Sequence, residues 1–160
     1  SIGNSMKDGM DISLISFNLS DVLEKNNRVI EAQWAGANNP LWIVKNDRSI
    51  YVENASAGNL IEIKGDRQPI GFSEDGKSAF TNHIVQLEKG DSIYLFTDGF
   101  ADQFGGKKGK KFKAAQMKEM LVSIRDKKMN DQMVYVHKEF EDWKGKLEQI
   151  DDVCLVGINL

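Results

Sequence analysis

Apolar and polar residues alternate with a two-residue period through much of the chain up to Thr97, the pattern of strands with one or both faces buried. Met10 to Leu19 is the first such run. Ile12 and Leu14 fall on one face and Ile15 and Phe17 on the other, which predicts a strand covered on both sides. Asn18 to Asn27 is a polar excursion with one helical turn expected at Asp21 to Lys25. Arg28 to Ala35 alternates Val29, Glu31, Gln33 and Ala35 against Ile30, Ala32 and Trp34. Further strands are predicted at Pro40 to Lys45, Ser49 to Val52, Asn59 to Lys64 and Phe80 to Leu87, separated by Gly, Asn and Asp turns. In Asn59 to Lys64, Ile61 and Ile63 make one face, and Leu60, Glu62 and Lys64 a mostly polar second face. Ser92 to Thr97 carries Ile93-Tyr94-Leu95-Phe96 without a polar break, the signature of a central strand buried on both faces.

The period then changes. Met117, Met120, Leu121 and Ile124 stand at i, i+3, i+4 and i+7, an amphipathic helix. Asn130 is the expected N-cap of a second helix striped by Met133, Val136, Phe140, Trp143 and Leu147. A last strand is expected from Val153 to Ile158. Many strands, two helices and a strand predict an α+β fold of mainly antiparallel sheet.

Composition fits a single soluble domain over residues 1–160, with 41% apolar and 28% charged residues. No apolar run approaches the ~20 residues of a membrane span. A net charge of −3 gives no broad basic face, which argues against nucleic acid as a partner. The lone Cys154 excludes an intrachain disulfide, favours a reducing cytoplasm and, within Val153-Cys154-Leu155-Val156, reads as a buried small side chain. The first residues are small and polar and Ser1 stands in place of Met, so we expect no secretory leader and a segment cut from a longer protein.

Two acidic features carry candidate chemistry. Asp98-Gly99 directly follows the buried strand, where a rigid strand end can fix a ligand and Gly lets the chain turn away. The same pair also reads as an ordinary strand-to-turn sequence. Asp151-Asp152 precedes the last strand, and a divalent cation would offset the repulsion of its two carboxylates. Taken alone, the pair reads more simply as a solvated acidic turn. Both features abut apolar strands, and neighbouring strands could bring them onto one cation.

Other features read as structure. Lys107, Lys108, Lys110, Lys111 and Lys113, interspersed with Gly105, Gly106 and Gly109, lack P-loop spacing and read as a solvated flexible loop, with docking of an acidic or phosphorylated partner as the functional alternative. His83 and His137 make no zinc motif: His83 alternates within a strand, and His137 sits beside the apolar helix stripe as a packing or boundary residue. Trp34, Trp42 and Trp143 are expected in the core.

Five segments occur in a fixed order: Trp34-Ala35-Gly36-Ala37-Asn38-Asn39-Pro40-Leu41, Gly65-Asp66-Arg67-Gln68-Pro69-Ile70-Gly71, Leu87-Glu88-Lys89-Gly90-Asp91, Phe96-Thr97-Asp98-Gly99 and Asp151-Asp152-Val153. Together they resemble the sporulation-stage-II-protein-E-like branch of the metal-dependent protein phosphatases (PPM family), from about residue 8 to 160. The resemblance implies a layered sandwich of antiparallel sheets flanked by helices, lacking its N-terminal side in this chain. It implies two Mn2+ or Mg2+ ions whose bridging water attacks phosphoserine or phosphothreonine. It makes Asp98 and Asp151 metal ligands, with Gly99, Asp102 and Asp152 flanking them. Asp102 could reach a metal through water or serve as a surface residue.

Two departures stand out. The histidine of the family's Ala-Gly-His-Asn-Pro motif is replaced by Ala37, in a segment one residue longer. The family's Asp-Gly-x-Gly-His-Gly segment, which supplies the acid bridging both ions, is missing. Asp8-Gly9 does not replace it, because no Gly-His-Gly follows.

The expectation is therefore a bacterial, cytoplasmic signalling phosphatase acting on a phosphorylated regulatory protein. The parent chain is expected to carry an upstream sensor domain and could be membrane-anchored through another domain. This polypeptide alone is expected to bind metal weakly or not at all, to be inactive, and to cover its exposed edges by forming a homodimer. The alternative is a non-catalytic interaction module, a pseudophosphatase.

Overall fold

A computed structural model describes residues 9–24, 28–46, 58–71 and 79–160. The strand expected at Ser49 to Val52 lies outside these residues. In chain order the elements are β1 (Gly9–Met10), β2 (Ile12–Phe17), α1 (Leu19–Leu23), β3 (Val29–Ala37), β4 (Leu41–Val44), β5 (Leu60–Ile63), β6 (Ile70–Gly71), β7 (His83–Glu88) and β8 (Ser92–Phe96). They continue with α2 (Gly99–Asp102), β9 (Phe104–Gly105), β10 (Lys110–Lys111), α3 (Ala114–Ser123), α4 (Met129–Lys144) and β11 (Leu155–Asn159).

Two antiparallel sheets, β2-β3-β7 and β11-β8-β4-β5, stack face to face. Side-chain alternation explains the stacking. Ile30, Ala32 and Trp34 of β3 and Val85 and Leu87 of β7 point inward to meet Leu41, Ile43 and Ile93 from the second sheet. The opposite face of that second sheet offers Trp42, Val44, Leu60, Tyr94 and Phe96 to Phe100, Met117, Leu121, Val136 and Phe140 of the helices. A large apolar side chain fully buried in this way stabilises the fold by about 1.5–3 kcal/mol. The result is three layers, sheet, sheet and helices, with β8 and β4 buried on both faces, as the unbroken apolar run of β8 predicts.

Several expectations are corrected. The outer face of β2-β3-β7 is uncovered among the described residues, and Leu14 is 60% exposed, so β2 is buried on one face only. Leu60 is fully buried and Glu62 accepts from Trp42 Nε1 at 2.9 Å, so the second face of β5 packs against the core. The N-cap of α4 is Lys128, two residues before Asn130. Its buried stripe runs through Gln132, Val136 and Phe140, while Met133 is 66% exposed and Leu147 is also exposed. Gln132 takes the inward position because its Oε1 accepts the buried Tyr94 hydroxyl at 2.6 Å and its Nε2 donates to the Lys127 carbonyl oxygen. His137 is exposed. So is Cys154, because the strand it leads into lies at a sheet edge. A groove of about 460 Å3 runs between that edge and α4. Among the described residues no helix is long and apolar enough to cross a membrane.

Candidate functional site

The ends of the second sheet gather the segments singled out in the sequence. β11 and β8 pair antiparallel, with Leu155 opposite Phe96, so Asp98 and the Asp151-Asp152 turn leave the ladder at the same end. Thr97 fastens them together. Its hydroxyl donates to the Asp152 carbonyl oxygen at 2.8 Å and accepts the Cys154 N–H at 2.9 Å, while its own N–H donates to the Cys154 carbonyl oxygen at 3.0 Å. Gly99 completes the contact: a Cβ there would lie 2.5 Å from the Asp152 carbonyl oxygen, so only glycine permits this approach. The chain then enters α2, whose Phe100 ring packs on Phe112 and Phe140 at centroid distances of 5.1 and 5.0 Å. Asp98 thus sits on a strand end fixed from three sides.

Two more of the ordered segments reach this end. Leu41 pairs with Ile63 and Trp42 with Tyr94, so Asn38 to Pro40 and Gly65-Asp66 lie past the same ends of β4 and β5. They clasp each other: Asn38 N–H donates to the Asp66 carbonyl oxygen and Asp66 N–H to the Gly36 carbonyl oxygen, both at 2.8 Å. Ala37 is completely buried here. The Asp66 carboxylate is engaged by the Thr81 N–H at 2.7 Å and the Thr81 hydroxyl at 3.0 Å, and these bonds hold its pKa below the ordinary value. Asp66 is therefore a clasp residue.

The remaining segment is at the other end of the sheet and is structural. Asp91, fully buried, accepts from Lys45 Nζ at 2.6 Å, Asn46 N–H at 3.0 Å and Glu88 N–H at 2.9 Å. It staples the end of β4 to the turn between β7 and β8, a role with no periodic signature in the sequence.

The five predicted site residues differ in what surrounds them. Asp98 is exposed and its carboxylate caps no helical N–H. Asp151 is exposed, and its Oδ1 accepts the Asp152 N–H at 2.8 Å. Asp152 and Gly99 form the backbone contact just described. Asp102 is tied up by Lys111, whose Nζ is 2.8 Å from its Oδ2. That ion pair anchors the lysine-rich segment, which is a β9–β10 hairpin and not a flexible loop. Trp143 fixes its base, accepting the Gly106 N–H at 2.7 Å and donating its own Nε1–H to the Gln103 carbonyl oxygen at 3.0 Å. Sequence reasoning missed Thr97 as an organiser, although Thr between a buried strand and Asp-Gly was its visible signal.

The donor set can be compared with what a divalent ion needs. Hard cations such as Mg2+ take about six oxygen ligands, several of them carboxylates or waters. Among the described residues no three His, Cys, Asp or Glu side chains gather closely enough to hold an ion. Asp98 and the Asp151-Asp152 turn share one end of the sheet, but they do not form a complete metal centre on their own.

Sheet-on-sheet stacking with helices on one outer face is the fold shared with solved PP2C-type and SpoIIE phosphatase domains. The chain superposes on the SiaA-PP2C domain of Pseudomonas aeruginosa with a TM-score of 0.67 and 26% identity, covering 82% of this chain and 50% of that one. Residues 15–160 match the family model for Stage II sporulation protein E (SpoIIE), and the chain belongs to that family. The phosphatase domain of the cell fate determinant SpoIIE from Bacillus subtilis (Mn presoaked) is also similar in fold, with a TM-score of 0.57 and 15% identity over 94% of this chain and 56% of that one. The chain spans about half the length of each of these solved domains. A search of curated proteins finds no match.

Proposed function

We propose that this chain forms part of a metal-dependent serine/threonine protein phosphatase and contributes Asp98 and Asp151 as metal ligands. The observation that carries the reading is the Thr97 fastening, which holds the Asp98 and Asp151-Asp152 loops at one sheet end with exposed carboxylates on both. When bound, Mn2+ or Mg2+ would supply a water of lowered pKa and charge stabilisation for the phosphoryl group. This chain's residues orient the carboxylates through the rigid β8 end and the Gly99–Asp152 contact. The substrate would be a phosphoserine or phosphothreonine on a cytoplasmic regulatory protein, with an upstream sensor domain controlling the parent. The acid that bridges two ions in the family pattern is not among residues 1–160, so the polypeptide alone has little or no turnover and binds a single Mn2+ with a Kd on the order of millimolar.

Calorimetric titration of MnCl2 into the chain, alongside p-nitrophenyl phosphate hydrolysis, tests this. Weak Mn2+ binding that is lost in both Asp98→Asn and Asp151→Asn, with background hydrolysis, is expected. Robust metal-dependent hydrolysis by the wild-type chain, or Mn2+ affinity unchanged in either variant, overturns it. In the parent protein Asp98→Asn abolishes turnover; a parent that is inactive before substitution is the pseudophosphatase alternative.

A further inference from the structure

The β9–β10 hairpin presents Lys107, Lys108, Lys110 and Lys111 to solvent, and Lys113 follows it, also exposed. Only Lys111 of the five forms an ion pair among the described residues, with Asp102. Four cations are left unneutralised on a chain whose net charge is −3. The hairpin is held rigidly. Gly105 packs so closely on the Trp143 backbone that a Cβ would overlap its carbonyl oxygen. Phe112 N–H donates to the Gln103 carbonyl oxygen at 3.0 Å, and Lys113 N–H to the Ala101 carbonyl oxygen at 2.7 Å. The Phe112 side chain is buried against Phe100 and Trp143.

The hairpin is also coupled to the candidate site. Asp102, which holds Lys111, donates its N–H to the Asp98 carbonyl oxygen at 2.9 Å, so the lysines begin one helical turn from Asp98. Phe104 is 40% exposed under the Lys111 ammonium, 5.9 Å from the ring centroid, and adds an apolar contact to the basic edge.

We propose that this hairpin docks an acidic polypeptide segment, holding the residues that flank the phosphorylated side chain beside the Asp98 loop. That the acidic segment belongs to the substrate rests on the phosphatase reading above; that the lysines bind it does not. A preorganised cluster of unpaired lysines attracts carboxylates at little ordering cost. Nucleic acid and anionic membrane are disfavoured because the patch is a single short hairpin on an otherwise acidic chain, where a long polyanion would meet repulsion beyond it.

The test is fluorescence anisotropy at low salt with a fluorescein-labelled peptide of glutamates around one phosphoserine, its unphosphorylated form, and a glutamine-for-glutamate control. Three proteins are compared: wild type, K107E/K108E/K110E, and K127E/K128E/K146E. The last changes net charge equally at exposed lysines elsewhere. Thermal melts establish that all three are folded; should the hairpin triple not fold, K107Q/K108Q replaces it. The expected result is an about tenfold or greater loss of affinity for both glutamate peptides in the hairpin variant, with a shallower salt dependence, and less than about twofold loss in the control triple. Equal loss in both triples, no loss in the hairpin variant, or tighter hairpin-dependent binding of poly-dT or phosphatidylserine vesicles overturns the proposal. Peptide binding needs no turnover, so failure of the phosphatase reading leaves this outcome intact. Unimpaired turnover by the parent together with absent peptide binding would remove the docking role alone.

Discussion

The Thr97 hydroxyl donates to the Asp152 carbonyl oxygen at 2.8 Å and, through its lone pairs, receives the Cys154 N–H at 2.9 Å. One side chain therefore bridges both acidic loops just beyond the β8–β11 ladder. Thr97→Val keeps the shape but removes both bonds and leaves a carbonyl and an N–H without their partner. A net hydrogen bond is worth about 0.5–1.5 kcal/mol, so a loss of about 1–2 kcal/mol is expected in urea denaturation. Thr97→Ser should recover most of it. A valine variant as stable as wild type would show that the two loops hold their places without Thr97.

Gly99→Ala tests the same junction sterically. The new Cβ falls 2.5 Å from the Asp152 carbonyl oxygen, well inside van der Waals contact, so one loop must retreat. We expect a destabilisation of about 1–3 kcal/mol, together with weaker Mn2+ binding than in wild type. Stability and metal affinity both unchanged would contradict the close approach.

Much of the fold was legible because its signals are periodic. The alternation in β3 and the unbroken apolar run of β8 identified both sheets, and the Met117 to Ile124 stripe identified α3. Four of the five ordered segments lie together at one end of the second sheet. What stayed hidden depends on single contacts. The Tyr94 hydroxyl draws Gln132 inward and turns the α4 stripe away from Met133. Strands of two residues, such as β9 and β10, are too short to carry a period, so a lysine-glycine run looked like a loop. Cys154 looked buried because an apolar run does not reveal that its strand is at an edge.

Tyr94→Phe would leave Gln132 Oε1 buried without its donor, at a cost of about 1–3 kcal/mol. Burial also raises the Tyr94 pKa above its ordinary value of 10.0. A raised folded pKa means that the stabilisation is fully present below the unfolded value and is lost as pH rises through the folded one. Wild-type stability should therefore fall as pH climbs above 10.0, and the slope should be smaller in Tyr94→Phe. Identical alkaline limbs in the two proteins would exclude Tyr94 as the titrating group.

At the acid side the sign reverses for Asp66, whose pKa the Thr81 N–H and hydroxyl lower from 3.8. Its contribution is present above 3.8 and is lost as pH falls through the lowered folded value. Asp66→Asn should flatten that part of the acid limb, measured as the urea midpoint against pH. An unaltered limb would place the titration on other carboxylates.

Lys113 offers a case in which stability and docking should move in opposite directions. It precedes α3 with φ 76 and ψ 142, a region of backbone space that suits glycine, while its N–H bonds the Ala101 carbonyl oxygen. Holding a side-chain-bearing residue there costs about 1–3 kcal/mol. Lys113→Gly relieves that strain but gains chain entropy in the unfolded state, which offsets about 0.5–1 kcal/mol. The expected net is a stabilisation of about 1 kcal/mol, visible as a Tm rise of about 2–4 °C. The same change removes one cation from the edge beside the hairpin, so affinity for the glutamate peptides should fall modestly, by about two- to threefold. A variant that binds more weakly while melting higher separates the electrostatic role of the side chain from any structural one. A lower Tm would mean that the lysine side chain itself supports the start of α3.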